Sequence, residues 1–209
     1  MSHSRQTAKK AGDVCVRGRP REFDTNTVLT SASQQFWDHG YHATSIDDLC
    51  KATGVLRGSL YGVFGDKHGI MLAALDHYAE GAVARLAQRL SATAEPEQAL
   101  RDALLHYARV SCALSGRRSC FITNTTLEMQ PDDEQLRARV ASIQRRMATL
   151  LAAAVIRGQA SGAFDSKLDE QAVGDFLLCV MQGLRVMGRV AHTEDALTGI
   201  VDVAMRALA

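Results

Sequence analysis

Hydrophobic residues recur at helical spacing along most of this chain, and the pattern is most legible between Phe36 and Lys67. Ile46, Leu49 and Cys50 form one apolar face that stops at Gly54, and Val55, Leu60 and Phe64 resume it afterwards. The spacing predicts two short helices joined at Gly54, a residue that tolerates the left-handed conformation closing a helix. Thr44 or Ser45 can cap the first helix, and Asp47 and Asp48 fall in its opening turn, where carboxylates meet free N–H groups. Cys50 is small enough to let the second helix cross closely, the geometry of a helix-turn-helix.

The second helix, roughly residues 56–64, divides by face. Leu60 and Phe64 point inward with Val55, leaving Arg57, Gly58, Ser59, Tyr61 and Gly62 outside or along the rim. Arginine offers a bidentate fork to guanine, hydroxyls bond phosphates or base edges, and Gly58 removes bulk where backbone must approach a groove. A plain helical hairpin inside an all-helical core is the alternative reading of the same spacing.

Beyond Lys67 the breakers are few. Helices are expected to about Ala92, from Glu97 to about Leu114, around Ser119 to Met129, from Asp132 to about Ala160, from Asp169 to Val190 and from Thr193 to Ala209. The fold class is therefore all-α, with a basic arm over 1–22, a three-helix DNA-binding domain over 23–68 and a larger helical domain over 69–209. At 209 residues, 46% hydrophobic, the chain is long enough for both cores.

Charge changes this picture only locally. The formal net charge is +1, yet Arg5, Lys9, Lys10, Arg17, Arg19 and Arg21 crowd the first 22 residues against only Asp13 and Glu22. Gly18 and Pro20 discourage helix there, so Arg17, Arg19 and Arg21 should lie extended along or in a minor groove, with affinity falling steeply as salt rises. No apolar run reaches membrane-spanning length and no secretion signal follows the basic start, which predicts a soluble, cytoplasmic protein with no membrane partner. Cys15, Cys50, Cys112, Cys120 and Cys179 have no metal-like spacing and are expected as reduced thiols. No cofactor or metal is expected.

The residues Gly40-Tyr41-His42-Ala43-Thr44-Ser45-Ile46, Gly54-Val55, Gly58-Ser59-Leu60-Tyr61, Phe64 and Lys67 closely resemble the N-terminal domain of TetR-family (AcrR-like) transcription repressors. The resemblance implies that Arg57 and Ser59 lie near base edges, beside Ser45 and Gly58. It also implies that Thr44, Tyr61 and Lys67 grip phosphates. Leu56 departs from it, since the family usually has Ser or Thr there to cap the recognition helix. A leucine leaves N–H groups to water, phosphate or Thr53, at a cost of roughly 1 kcal/mol.

Phe176, Leu177, Val180, Met181, Leu184 and Met187 with Ile200, Val203, Ala204 and Leu208 give the last two helices a broad apolar face, which periodicity alone also allows as internal core; the same resemblance implies a homodimer meeting through this pair as a four-helix bundle. Gly174, Gly183 and Gly188 would permit the close approach. Two recognition helices then read a near-palindromic double-stranded DNA operator with half-sites roughly 34–36 Å, or a multiple, apart. An unknown small-molecule effector would bind among the central helices, with His106, Tyr107, Val110, Phe121, Leu127, Met147, Leu151, Phe176 and Met181 as candidate lining residues; plain core is the simpler reading of each.

A second stretch, residues 116–128, resembles the GCxxxNTxLE segment of a TetR subgroup that includes sensors of reactive electrophiles. Arg117 and Arg118 beside Cys120, with a helix start, favour a thiolate, which makes Cys120 a candidate sensor with Cys112 as a conceivable partner. Burial of Cys120 between apolar neighbours is the plainer alternative. An enzyme using Cys120 with His106 or His77 lacks an orienting group, a phosphate loop or a metal cluster. A helical ligand carrier without DNA binding remains the other class.

Overall fold

The computed structural model describes residues 23–113, 118–190 and 193–209, and all regular structure among them is helical. Arg17, Arg19 and Arg21 of the basic arm, and Arg117, lie outside the described residues. Three helices form a small head: α1 (Thr25–His39), α2 (Ile46–Thr53) and α3 (Arg57–Phe64). Six more follow: α4 (Lys67–Leu90), α5 (Pro96–Cys112), α6 (Phe121–Glu128), α7 (Glu134–Ala160), α8 (Glu170–Met187) and α9 (Glu194–Arg206).

Most starts follow from a capping oxygen. Asp24, Ser45, Asp66, Asp133, Asp169 and Thr193 each accept a backbone N–H in the first turn of the helix they precede. Pro96 opens α5, where its missing N–H costs nothing. The expected helices are present with ends displaced by a few residues.

The head is closed by Val28, Ala32 and Phe36 of α1, Leu49 of α2, Leu60 of α3 and Ile70 of α4, all buried. Because α4 starts at Lys67 and runs unbroken to Leu90, the division expected between 68 and 69 falls inside its first turn. One rod thus belongs to both regions. In the body, α4 packs on α7, α7 lies along α8, and α5 is covered by α8 and α9. Leu86, Leu100, Leu104, Leu151, Leu177 and Leu184 fill the space between them.

Two glycines expected at a dimer surface are used within the chain. A Cβ at Gly174 would stand 2.7 Å from the Ala148 carbonyl oxygen of α7, and one at Gly188 would stand 2.5 Å from Ser111 Cβ of α5. Both therefore let α8 close on its own neighbours. Leu177, Met181, Leu184 and Leu208 likewise point into the protomer, because a helix packed on two sides must turn part of its apolar face inward.

Candidate nucleic-acid interface and cavity

The head presents α3 outward on a frame of capped turns. Ser45, rather than Thr44, caps α2: its Oγ accepts from Asp48 N–H at 3.2 Å while its own N–H donates to Asp48 Oδ2 at 3.0 Å. Gly54 ends α2 in the left-handed conformation, φ 70° and ψ 12°, as its position requires. Leu60 is the inward anchor of α3, with Phe64 half-buried beside it, and Arg57, Gly58, Tyr61, Gly62 and Val63 are exposed. Ser59 is half-buried.

Leu56 occupies the N-cap of α3 with no side-chain cap bond and is 79% exposed. Ser59 and Leu60 donate back to the Leu56 carbonyl, while Thr53 Oγ1 accepts from Val55 N–H and so does not supply the missing cap. The opening turn of α3 is left facing outward, a place where free N–H groups and the helix dipole favour an anion. Arg57 does not project freely: its guanidinium meets Asp47 Oδ1 of α2 at 2.7 Å, and that carboxylate holds the arginine's pKa above its ordinary value.

Three expected phosphate or groove contacts are committed elsewhere. Thr44 is buried, and its hydroxyl donates to the Gly40 carbonyl at 2.7 Å. The Ser45 hydroxyl is spent on Asp48. Lys67 Nζ donates to the carbonyls of Tyr41 at 3.0 Å and Thr44 at 2.9 Å, and lies 4.3 Å from the centre of the Tyr41 ring. These carbonyls belong to the turn between α1 and α2, so Lys67 fastens that turn to the start of α4. Two of its three donors are taken.

Residues 118–130 fasten the head to the body. Trp37 of α1 donates its indole N–H to the Arg118 carbonyl at 3.0 Å, and the Asn124 amide donates to the same oxygen at 2.9 Å. The Arg118 guanidinium pairs with Asp38 and lies over the Trp37 ring, so it is turned toward α1. Glu128 accepts the Tyr41 N–H at 2.8 Å and fits against Gly40, whose φ of 83° and close carboxylate leave no place for a Cβ. Gln130 meets His42 at 3.1 Å and Asp133 meets His68 at 2.8 Å. The Asn124 and Glu128 positions of the recognised segment are thus clamp residues. Ser119 stands where that segment carries glycine, and its φ of 60° is in the region glycine favours.

Behind the clamp, α1, α4, α5, α6, α7 and α8 enclose a cavity of about 220 Å³. Of the expected lining residues, His106, Tyr107, Val110, Met147, Met181 and Cys120 are in its wall. Phe121 is not; it is buried against Trp37 and Tyr78, with ring centroids 6.5 and 5.5 Å away. Leu151 is core, one turn along α7 from Met147; Leu127 is exposed, one turn along α6 from Thr123; and Phe176 is on the outer face of α8, opposite Leu178 and Arg185.

Sequence reasoning missed Arg85 and Arg89 of α4, Arg185 and Gln182 of α8, Gln144 of α7 and the aromatic pair Trp37 and Tyr78. A signal existed on α4: Tyr78, Ala82, Arg85 and Arg89 follow i, i+4, i+7 and i+11, one face of a helix. Burial, followed by the cations of Arg89, Arg109 and Arg185, pulls the His106 pKa below its usual value. Burial, then Cys120, pushes the Tyr78 and Tyr107 hydroxyls up. The Cys120 thiol is within hydrogen-bonding reach of Tyr78, at the N-cap of α6. Among the described residues no group of three His, Cys, Asp or Glu side chains is placed to hold a metal, and no helix is long and apolar enough to cross a membrane.

On the far side of the body, Phe176 and Val180 of α8 and Ile200 and Val203 of α9 line an open apolar groove, with Phe176 42% and Val203 58% exposed.

Comparison with known proteins bears on both regions. Residues 28–74 match the model for bacterial regulatory proteins of the tetR family, and residues 96–204 match a tetracyclin repressor-like C-terminal domain. The chain belongs to the TetR family. TetR-family proteins are DNA-binding transcription factors rather than enzymes, and the helix-turn-helix reading stands on that. The chain is 30% identical over 204 residues to the HTH-type transcriptional repressor ComR of Escherichia coli K12, covering 97% of this chain and 95% of that protein. It is 29% identical over 192 residues to the HTH-type regulator YezE of Bacillus subtilis 168, covering 91% and 99%. Among solved structures, a cysteine variant of the TetR-family regulator CifR bound to 26-base-pair operator DNA superposes with a TM-score of 0.79. That match has 26% identity and covers 92% of this chain and all of that one.

Proposed function

We propose that this DNA-binding regulator is a homodimeric repressor that grips a near-palindromic operator through paired α3 helices and is released by a small molecule entering the cavity. The observation that carries this reading is Trp37: one side chain of head helix α1 is both wall of the cavity and donor to the Arg118 carbonyl of the clamp. A ligand that moves Trp37 acts on the helix holding the head. Its effect on the operator is bounded by its preference for one head position over the other.

The apolar groove of α8 and α9 supports the dimer. Exposed Phe176 and Val203 with half-buried Val180 and Ile200 form a contiguous apolar patch of the kind a symmetric copy covers. On α3, Arg57, Gly58 and Tyr61 meet the groove with the arm's Arg17, Arg19 and Arg21, Ser59 lies at the rim, and the open first turn receives a phosphate. Thr44, Ser45 and Lys67 hold the turns that aim α3.

A gel-shift titration with the intergenic DNA upstream of the chain's own gene tests the reading. Sequence-selective binding that weakens steeply with salt is expected, and indifference to sequence at physiological salt overturns it. Arg57→Ala then costs about 1–3 kcal/mol on the selected site and relaxes specificity. Asp47→Asn releases Arg57 and tightens binding.

The position of Cys120 in the cavity wall supports a second trigger, covalent modification of its thiol. If Cys120→Ser is released from DNA by an electrophile as readily as the parent, this second trigger is removed.

A further inference from the structure

The wall of the cavity is unusual for this chain in its charge. Arg85 and Arg89 of α4 and Arg185 of α8 all reach it, and among its described residues there is no carboxylate. Elsewhere Arg57, Arg101, Arg118 and Arg146 each meet an Asp or Glu. Arg85 is exposed and Arg89 and Arg185 are half-buried, and with no carboxylate in the wall to offset them their combined field in the cavity favours an anion. The same cations act on His106, whose pKa is lowered first by burial and then by arginines including Arg89 and Arg185.

A separate observation points to a ligand. Thr123 of α6 is 6% exposed, lines the cavity, and its Oγ1 has no hydrogen-bond partner among the described residues. Buried hydroxyls nearly always have one. The rest of the wall is mainly aromatic and aliphatic, with His106, Cys120, Gln144 and Gln182 as its other polar groups, and 220 Å³ lies below the roughly 300–1,000 Å³ of drug-sized pockets.

We infer that the cavity takes a small organic anion, a carboxylate on a compact aromatic or aliphatic body, with its charge met by Arg85, Arg89 and Arg185 and one oxygen accepting from Thr123. This rests on the reading of the cavity as the effector site and names the class of effector. Planar guanidinium groups match a carboxylate edge to edge, which neutral amides and cations do not reproduce. Arg185 also supplies the consequence. It donates to the Ser119 carbonyl, at the N-terminal side of α6 beside Arg118, the residue that holds Trp37. An anion drawing Arg185 into the cavity competes with that carbonyl and loosens the clamp.

Trp37 is the chain's one tryptophan and lies in the wall, so its emission reports occupancy. The full chain is titrated with benzoate, benzamide and benzylamine, and a parallel gel shift follows operator release. Benzoate should give a saturable change roughly tenfold or more tighter than benzamide, and benzylamine none. Arg185→Gln should weaken benzoate about tenfold and leave benzamide unchanged within about twofold. The inference is overturned if benzamide or benzylamine binds as well as benzoate. It is equally overturned if neither benzoate, hexanoate nor cinnamate moves the emission up to about 10 mM. The charge series on the parent chain stands even if the variant fails to fold. Charge-selective binding that leaves the operator bound upholds the anion site and removes the release reading. A neutral compound that releases the operator where benzoate does not does the reverse.

Discussion

The head and the cavity wall use their polar side chains in opposite ways. In the head, Thr44, Ser45, Asp48, Lys67 and Arg57 each have a partner within the chain, most of them backbone groups of the turns they brace. In the cavity wall, among the described residues, Thr123 Oγ1 has none, and three arginines face a space without a carboxylate. A surface that grips a rigid polyanion gains by being ordered before contact, because each side chain already fixed is entropy not lost on binding. A site awaiting a small ligand instead leaves inner groups unsatisfied until the ligand satisfies them.

If the two regions are separate in this sense, the head can be broken without the body. Leu60 is the only fully buried residue of α3, so Leu60→Ala removes its anchor at a cost of about 2–5 kcal/mol. Amides of α2 and α3 should then exchange with solvent far faster while those of α7 and α8 keep their protection, and operator affinity should collapse. Equal loss of protection in α7 and α8 would mean that head and body unfold as one unit.

Lys67 sharpens the same contrast. Lys67→Met removes two charge-assisted bonds to the Tyr41 and Thr44 carbonyls from a half-buried site, an expected loss of about 2 kcal/mol and of several degrees in the thermal midpoint. Affinity should fall alike for all DNA sequences. A variant of unchanged midpoint but weakened DNA binding would return Lys67 to the phosphate-gripping role that the family resemblance implies.

Local signals in the sequence were reliable wherever the physics was local. Gly54 before a resumed apolar face, a cap at Thr44 or Ser45 and the outward set on α3 each depend on neighbours within a turn or two. Lys67 and Thr44 could not be read this way. Their partners are carbonyl oxygens, which every residue possesses, so no residue type marks the contact. The cavity was half legible for a similar reason: the α4 stripe of Tyr78, Arg85 and Arg89 is visible in spacing, but that Arg185 of α8 arrives at the same space depends on how α7 and α8 pack. Leu177 and Met181 show the cost of periodicity alone, since one apolar face serves equally for a dimer and for the protomer's own core.

The clamp between the two regions carries its own defect. Ser119 has a positive φ and a buried hydroxyl without a partner among the described residues. Ser119→Gly relieves both at the expense of greater freedom in the unfolded chain, for a net gain of about 1–2 kcal/mol. Thermal unfolding should show the increase. A destabilised variant would mean that the hydroxyl is satisfied in solution.

The smallest effect is the most discriminating. Leu56 leaves the first turn of α3 uncapped and is itself exposed, so Leu56→Ser can add the missing acceptor without disturbing any packing. In the free protein it should stabilise α3 by about 0.5–2 kcal/mol, measured as slowed amide exchange in that helix. On DNA the serine oxygen and a phosphate compete for the same N–H groups, so operator affinity should rise by less than the added stability, or fall by a few-fold. If affinity rises in full proportion to stability, the open turn of α3 is not a phosphate seat, and leucine at that position is simply a weak cap.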